Sequence, residues 1–66
     1  MDSKKIGARL RELRGDRSQN EIADAIGVTS MAISLYENGE RIPRDEIKRA
    51  IAKFFGVTVE SIFYAD

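Results

Sequence analysis

Ala23, Gly27 and Ile33 stand four and six residues apart in a run that opens on Ser18 and closes on Asn38-Gly39. This spacing suits two short helices that cross steeply. A small side chain is needed at Ala23, where the helices touch, and positive φ is needed at Gly27, where the chain turns. Ile22, Ile26, Val28 and Ile33 then point into one shared core. The start is marked by a capping box, Ser18-Gln19-Asn20-Glu21, with Ser18 accepting from the Glu21 amide and Glu21 reaching back. Thr29 is the N-cap of the second helix of the pair. Centring that helix's buried face on Ile33 brings Tyr36 and Glu37 beside it and turns Met31, Ser34, Leu35 and Asn38 the other way.

The flanks are helical too. Ile6, Leu10 and Leu13 recur at i, i+4 and i+7, predicting a helix from Lys4 to Arg14 that Gly15-Asp16 ends. Pro43, the only proline, is placed at the start of a fourth helix. Asp45 and Glu46 suit its first turn, and Ile47, Ile51, Phe54 and Phe55 form its apolar stripe. Gly56 closes it. Thr58 caps a last short helix, about 58–63, carrying Val59, Ile62 and Phe63. The expected fold is all-α: five short helices in one bundle spanning residues 1–66, without repeats or linkers.

Composition narrows the function classes. The 66 residues include no His and no Cys, which excludes zinc fingers, imidazole or thiol nucleophiles and redox pairs. So short a helical chain has little room for a substrate cleft, so an enzyme is not expected, nor is a cofactor or a metal. The start, Met1-Asp2-Ser3-Lys4-Lys5, leads into a charged helix, and no apolar run is long enough to span a bilayer. A soluble, cytoplasmic protein without membrane contact is the expectation.

Eleven basic and eleven acidic residues cancel, but unevenly along the chain. Residues 1–20 carry six basic and three acidic side chains; residues 21–40 carry four acidic and no basic ones. Any phosphate-binding surface therefore has to come from the flanks. In the first helix, Lys4, Lys5, Arg9 and Arg11 are assigned to a solvated face. Val57, Val59, Ile62, Phe63 and Tyr64 exceed the apolar needs of one short helix, so their surplus is expected to form a two-fold interface with a second copy.

The chain resembles the phage-repressor and Cro type of helix-turn-helix protein, a lambda-repressor-like fold. The resemblance runs from Ile6 to Phe63. It rests on Ile6-Gly7-Ala8-Arg9-Leu10-Arg11 with Arg14, Ser18-Gln19-x-Glu21-Ile22-Ala23, Gly27-Val28-Thr29, Ile33-x-x-Tyr36-Glu37-Asn38-Gly39, Arg41-x-Pro43 and Ile51-Ala52. It implies a transcriptional regulator, most simply a repressor, that binds double-stranded operator DNA as a homodimer. The helix-turn-helix then spans about 18–38, with Thr29, Ser30, Met31, Ser34 and Leu35 facing the major groove. The family pattern sets Gln19 and Asn38 on DNA phosphates, and Arg41 and Arg44 beside the backbone or minor groove. Arg14 and Glu37 match a structural ion pair.

The departures also carry information. The loop before Ser18 is about two residues shorter than is common in the family. Arg17 replaces a usual apolar residue there and is expected to be exposed and to meet a phosphate. No Arg, Lys, Gln or Asn stands at the centre of the recognition face, so bidentate reading of guanine or adenine is not expected. Thymine methyls, single hydrogen bonds to hydroxyls and DNA shape are the remaining sources of specificity. The competing reading is a protein-interaction module on the same fold, either an antitoxin or a partner that sequesters another regulator.

Overall fold

The computed structural model describes residues 2–65. Four α-helices, α1 (Ser3–Arg14), α2 (Gln19–Ile26), α3 (Ser30–Glu37) and α4 (Asp45–Phe55), lead into a closing π-helical turn, Glu60–Tyr64. No strand occurs among the described residues, and the all-α, five-element architecture is the one expected.

Each start has a local cause. The Asp2 carboxylate accepts from the Lys4 and Lys5 amides at 3.0 and 3.2 Å, which carries α1 one residue beyond the expected start. Ser18 Oγ accepts from the Glu21 amide at 3.0 Å, and Thr29 Oγ1 from the Ala32 amide at 3.1 Å. Thr58 Oγ1 caps the closing turn through the Ser61 amide at 3.1 Å. The Glu21 carboxylate, expected to complete a capping box, instead lies 3.6 Å from Arg17 Nε. Between α2 and α3, Gly27 adopts φ 76° while its amide and that of Val28 both donate to the Ala23 carbonyl.

The start of α4 differs from expectation. Pro43 is buried and lies before the helix, Arg44 holds the N-cap position, and Asp45 is the first helical residue. Proline forces the residue before it out of helical geometry, but the two acidic residues gain from the helix dipole only inside the first turn. The helix begins where that gain begins.

The core is Ile6, Leu10, Ile22, Ala23, Ile33, Tyr36, Ile51, Ala52, Ile62 and Phe63. Helices α1 and α3 approach so closely at Gly7 that a Cβ there would overlap the Glu37 carbonyl and sit 2.8 Å from that of Tyr36.

Two of the residues assigned to a dimer surface belong to this core. Ile62 is 1% exposed and Phe63 2%, while Val57 and Val59 are half-buried against the same cluster; only Tyr64, at 55%, is open. The closing turn is drawn inward by two cations. Arg9, expected on a solvated face, donates to the carbonyls of Ile62 at 2.8 Å and Ala65 at 3.0 Å. Those end-of-helix acceptors lack intrahelical partners, which explains the recruitment. Lys48 is buried, with its ammonium 3.0 Å from the Tyr64 hydroxyl, 3.7 Å from Asp45 Oδ1 and 5.6 Å from the centre of the Phe63 ring. The apolar excess of the last ten residues thus covers the base of the bundle.

Candidate nucleic-acid interface

Helix α3 divides cleanly. Ile33, Tyr36 and Glu37 are buried, whereas Met31 is 68% exposed and Ser30 is exposed beside it. Ser34 and Leu35 are half-buried. The hydroxyls are not equally available. Thr29 spends an acceptor site on its cap, and Ser34 Oγ has the Asn38 side-chain amide at 3.4 Å. Ser30 and Met31 are the freest groups on this face.

One carboxylate organises the rim. Glu37, with its side chain 2% exposed, accepts from Arg14 Nε at 2.6 Å and Arg14 Nη2 at 3.0 Å. A bidentate fork of this kind fixes both partners in one plane. Donating to Glu37 raises the Arg14 pKa and outweighs the opposing effect of burial. Gln19 Nε2 donates to Glu37 Oε1 at 3.1 Å, so the start of α2 is tied to the end of α3. An amide nitrogen has two protons, and the second remains for an outside acceptor. Arg14 also donates through Nη1 to the Arg17 carbonyl at 2.9 Å, holding the shortened α1–α2 loop.

Arg17 is half exposed, and its guanidinium lies 5.6 Å from the Phe54 ring centre and 6.0 Å from that of Phe55. It therefore covers an edge-to-face aromatic pair, the packing an apolar side chain would otherwise supply. Its charge is shared with Glu21. Arg41 and Arg44 are exposed on the α3–α4 connection, with Arg44 Nη1 3.8 Å from Glu46.

Sequence reasoning missed Arg11, which donates through Nη2 to Asn38 Oδ1 at 2.9 Å. The available signal was spacing. Arg11 lies three residues before Arg14 and shares its side of α1, so it faces the same end of α3. Among the described residues no cluster of His, Cys, Asp and Glu could hold a metal ion, and no helix is long and apolar enough to cross a membrane.

A tight turn between two short helices, the second buried on one side and open on the other, defines a helix-turn-helix. The chain belongs to the helix-turn-helix family, whose pattern it matches over residues 8–62. It is 35% identical over 59 residues to the cryptic phage CTXphi transcriptional repressor RstR of Vibrio cholerae, a match covering 86% of this chain and 53% of that protein. The chain thus spans about half the length of that relative. It is 39% identical over 46 residues to a helix-turn-helix-type transcriptional regulator of Methanocaldococcus jannaschii, covering 70% of each. Among solved structures it resembles the P22 c2 repressor bound to a synthetic operator, with a TM-score of 0.88 and 27% identity over 92% of this chain and 96% of the other.

Proposed function

We propose that this chain is a sequence-specific double-stranded DNA-binding transcriptional regulator that acts as a dimeric repressor on a near-palindromic operator. The observation that carries this reading is the open face of α3, Ser30 and Met31, held rigidly by the Glu37 network at its far end. A solvent-exposed methionine beside a hydroxyl, on a helix fixed by a buried fork, fits a groove whose floor offers methyls and single acceptors. The fold's likeness to a repressor bound to its operator supports the same reading.

In this mechanism α3 enters the major groove and Thr29, Ser30, Met31, Ser34 and Leu35 meet or border base edges. Gln19, Asn38, Arg41 and Arg44 contact the backbone, with Arg44 reaching toward a narrow minor groove. Arg17 contributes to the local positive field while it shields the aromatic pair. Two copies place their recognition helices about 34–36 Å apart on one face of the DNA. With Ile62 and Phe63 committed to the core, the candidate dimer contacts are Tyr64 and the outer edges of Val57 and Val59. Repression is steric, and no cofactor takes part.

The test is selection of bound duplexes from a random DNA pool, with folding checked by circular dichroism. Enrichment of an inverted repeat with half-sites one helical turn apart is the expected result. A double Gln19→Ala, Arg44→Ala change should cripple binding to that duplex and leave the fold intact. Failure of the folded wild type to enrich any sequence, even at low salt, would overturn the DNA reading in favour of a protein-interaction module.

A further inference from the structure

We propose that Arg11 and Asn38 together form one phosphate-binding site, with Arg11 as its charged donor and Asn38 as the residue that aims it. The proposal rests on the DNA-binding reading above and adds a contact that the sequence assigned to solvent.

Arg11 projects from α1 with 59% of its side chain exposed, yet it is not loose. Its Nη2 is anchored to Asn38 Oδ1 at 2.9 Å, and its Nε stands 3.9 Å from Glu37 Oε1. A guanidinium carries five N–H donors, and these contacts leave the Nη1 pair without a partner among the described residues. Glu37 does not neutralise it. That carboxylate is taken by the bidentate fork from Arg14 and by Gln19, so two arginines share one buried negative charge and Arg11 holds the surplus.

The anchor also fixes the Asn38 amide. With Oδ1 occupied by Arg11, the exposed end of Asn38 is Nδ2, whose nearest acceptor is Ser34 Oγ at 3.4 Å. The pair therefore presents mostly donors, its amide oxygen already accepting from Arg11. A positive, donor-rich site with spare N–H groups takes an anion with several acceptor oxygens, which on DNA is the phosphodiester. Asn38 is the residue immediately after α3, so the phosphate is one that borders the groove this helix occupies. Gripping it joins α1 to the backbone as well and sets the angle at which α3 enters.

The alternative is a staple: Arg11 ties α1 to α3 and never touches DNA. Salt dependence separates the two, because a staple changes affinity equally at every salt concentration. Each phosphate neutralised contributes about 0.9 to the slope of log K against log salt. The experiment is a fluorescence anisotropy titration of the full chain on the selected duplex from 50 to 200 mM NaCl. It compares wild type with Arg11→Ala, Arg11→Gln, Asn38→Ala and the double Arg11→Ala, Asn38→Ala change. Arg11→Gln removes the charge while keeping an amide donor for Asn38, so it remains informative if the alanine variant does not fold.

The expected result is a slope shallower by about 0.9 for each bound copy in both Arg11 variants. The double variant should lose less than the sum of the two single losses, since the two residues form one site, and a fully additive loss would overturn the pairing. Wild-type binding with an unchanged slope in a folded Arg11→Gln variant overturns the Arg11 assignment while leaving the DNA reading intact. If the wild type binds no duplex, both are overturned.

Discussion

Replacing Gly7 with alanine sets two opposing effects against each other at one position. In a helix interior alanine is favoured over glycine by about 1 kcal/mol, and Gly7 lies inside α1. Propensity alone therefore predicts a more stable protein. The structure predicts the opposite. The new Cβ would overlap the Glu37 carbonyl and lie 2.8 Å from the Tyr36 carbonyl, where ordinary contact begins at 3.4 Å. The helices would have to part by about 0.6 Å at Tyr36 and by more at Glu37, and the obstacle is backbone rather than a side chain that can turn away. Overpacking of this kind costs about 1–3 kcal/mol, and rigid obstacles belong at the upper end. Subtracting the propensity gain leaves a net loss of about 2 kcal/mol, or roughly 8–16 °C in Tm for a domain of this size. Thermal and urea denaturation followed by circular dichroism measure it directly. Ala8→Gly, on the exposed side of the same helix, is the control for propensity and should lose about 1 kcal/mol. A rise in Tm for Gly7→Ala would refute the close approach of α1 to α3.

Glu37→Ala leaves Arg14 and Gln19 without their shared acceptor and should cost about 3–5 kcal/mol in urea denaturation. A paired Arg14→Met, Glu37→Met change should recover much of that loss, because breaking a buried pair is worse than replacing it. An equally unstable double variant would mean that the pair itself supplies the stability. The amide of Lys5, helped by that of Lys4, holds the Asp2 carboxyl below the usual aspartate range. Its folded pKa is the lower one, so its contribution is complete above about pH 4 and is lost as pH falls through the folded value. The Tm difference between wild type and Asp2→Ala should therefore be constant from pH 7 to 5 and shrink below 4; a difference that grows on acidification contradicts the cap. If Met31 meets a thymine methyl as proposed, uracil at that position removes one methyl, worth about 0.8 kcal/mol or roughly fourfold in affinity. Met31→Ala should abolish that discrimination, and equal binding of both duplexes by the wild type would remove methyl contact from the mechanism.

Most of the helical frame was legible because its signals are local. Gly27, Ser18 and Thr29 act within a few residues of themselves, and the period of Ile22, Ala23, Ile26 and Ile33 fixes which sides of α2 and α3 turn inward. What stayed hidden depends on partners far along the chain. Arg9 is an ordinary helix-surface arginine until the Ile62 and Ala65 carbonyls, more than fifty residues later, need donors. Lys48 interrupts an apolar stripe with no sequence hint that the Tyr64 hydroxyl and the Phe63 ring will receive its ammonium. The dimer surface was overdrawn for the same reason. Counting apolar residues near the C-terminus shows how many need cover but not whether the base of the bundle supplies it. Arg17 follows the same logic: its exposure was legible, but its seat over Phe54 and Phe55 was not.

Charge economy links these observations to binding. A chain with equal numbers of acids and bases has no net field to draw it onto a polyanion, so its affinity must come from donors held in place. Burying Glu37 serves that end. A carboxylate exposed at the rim would repel the backbone, whereas a buried one is spent on orienting Arg14, Gln19 and the nearby Arg11. The same interaction that removes a negative charge from the surface fixes the donors that remain there. Few contacts per copy follow from this arrangement, and in the proposed dimer the second copy doubles the number of phosphates engaged. Binding by a neutral domain built this way should therefore show a shallow salt slope per copy and a strong dependence on half-site spacing. A variant that adds a further basic residue at the rim without an orienting partner, such as Glu40→Lys at the exposed position before Arg41, should steepen the salt slope and strengthen binding to random and selected duplexes alike. A selective gain for the selected duplex would show that position 40 reads sequence, and that field and placement are not separable at this rim.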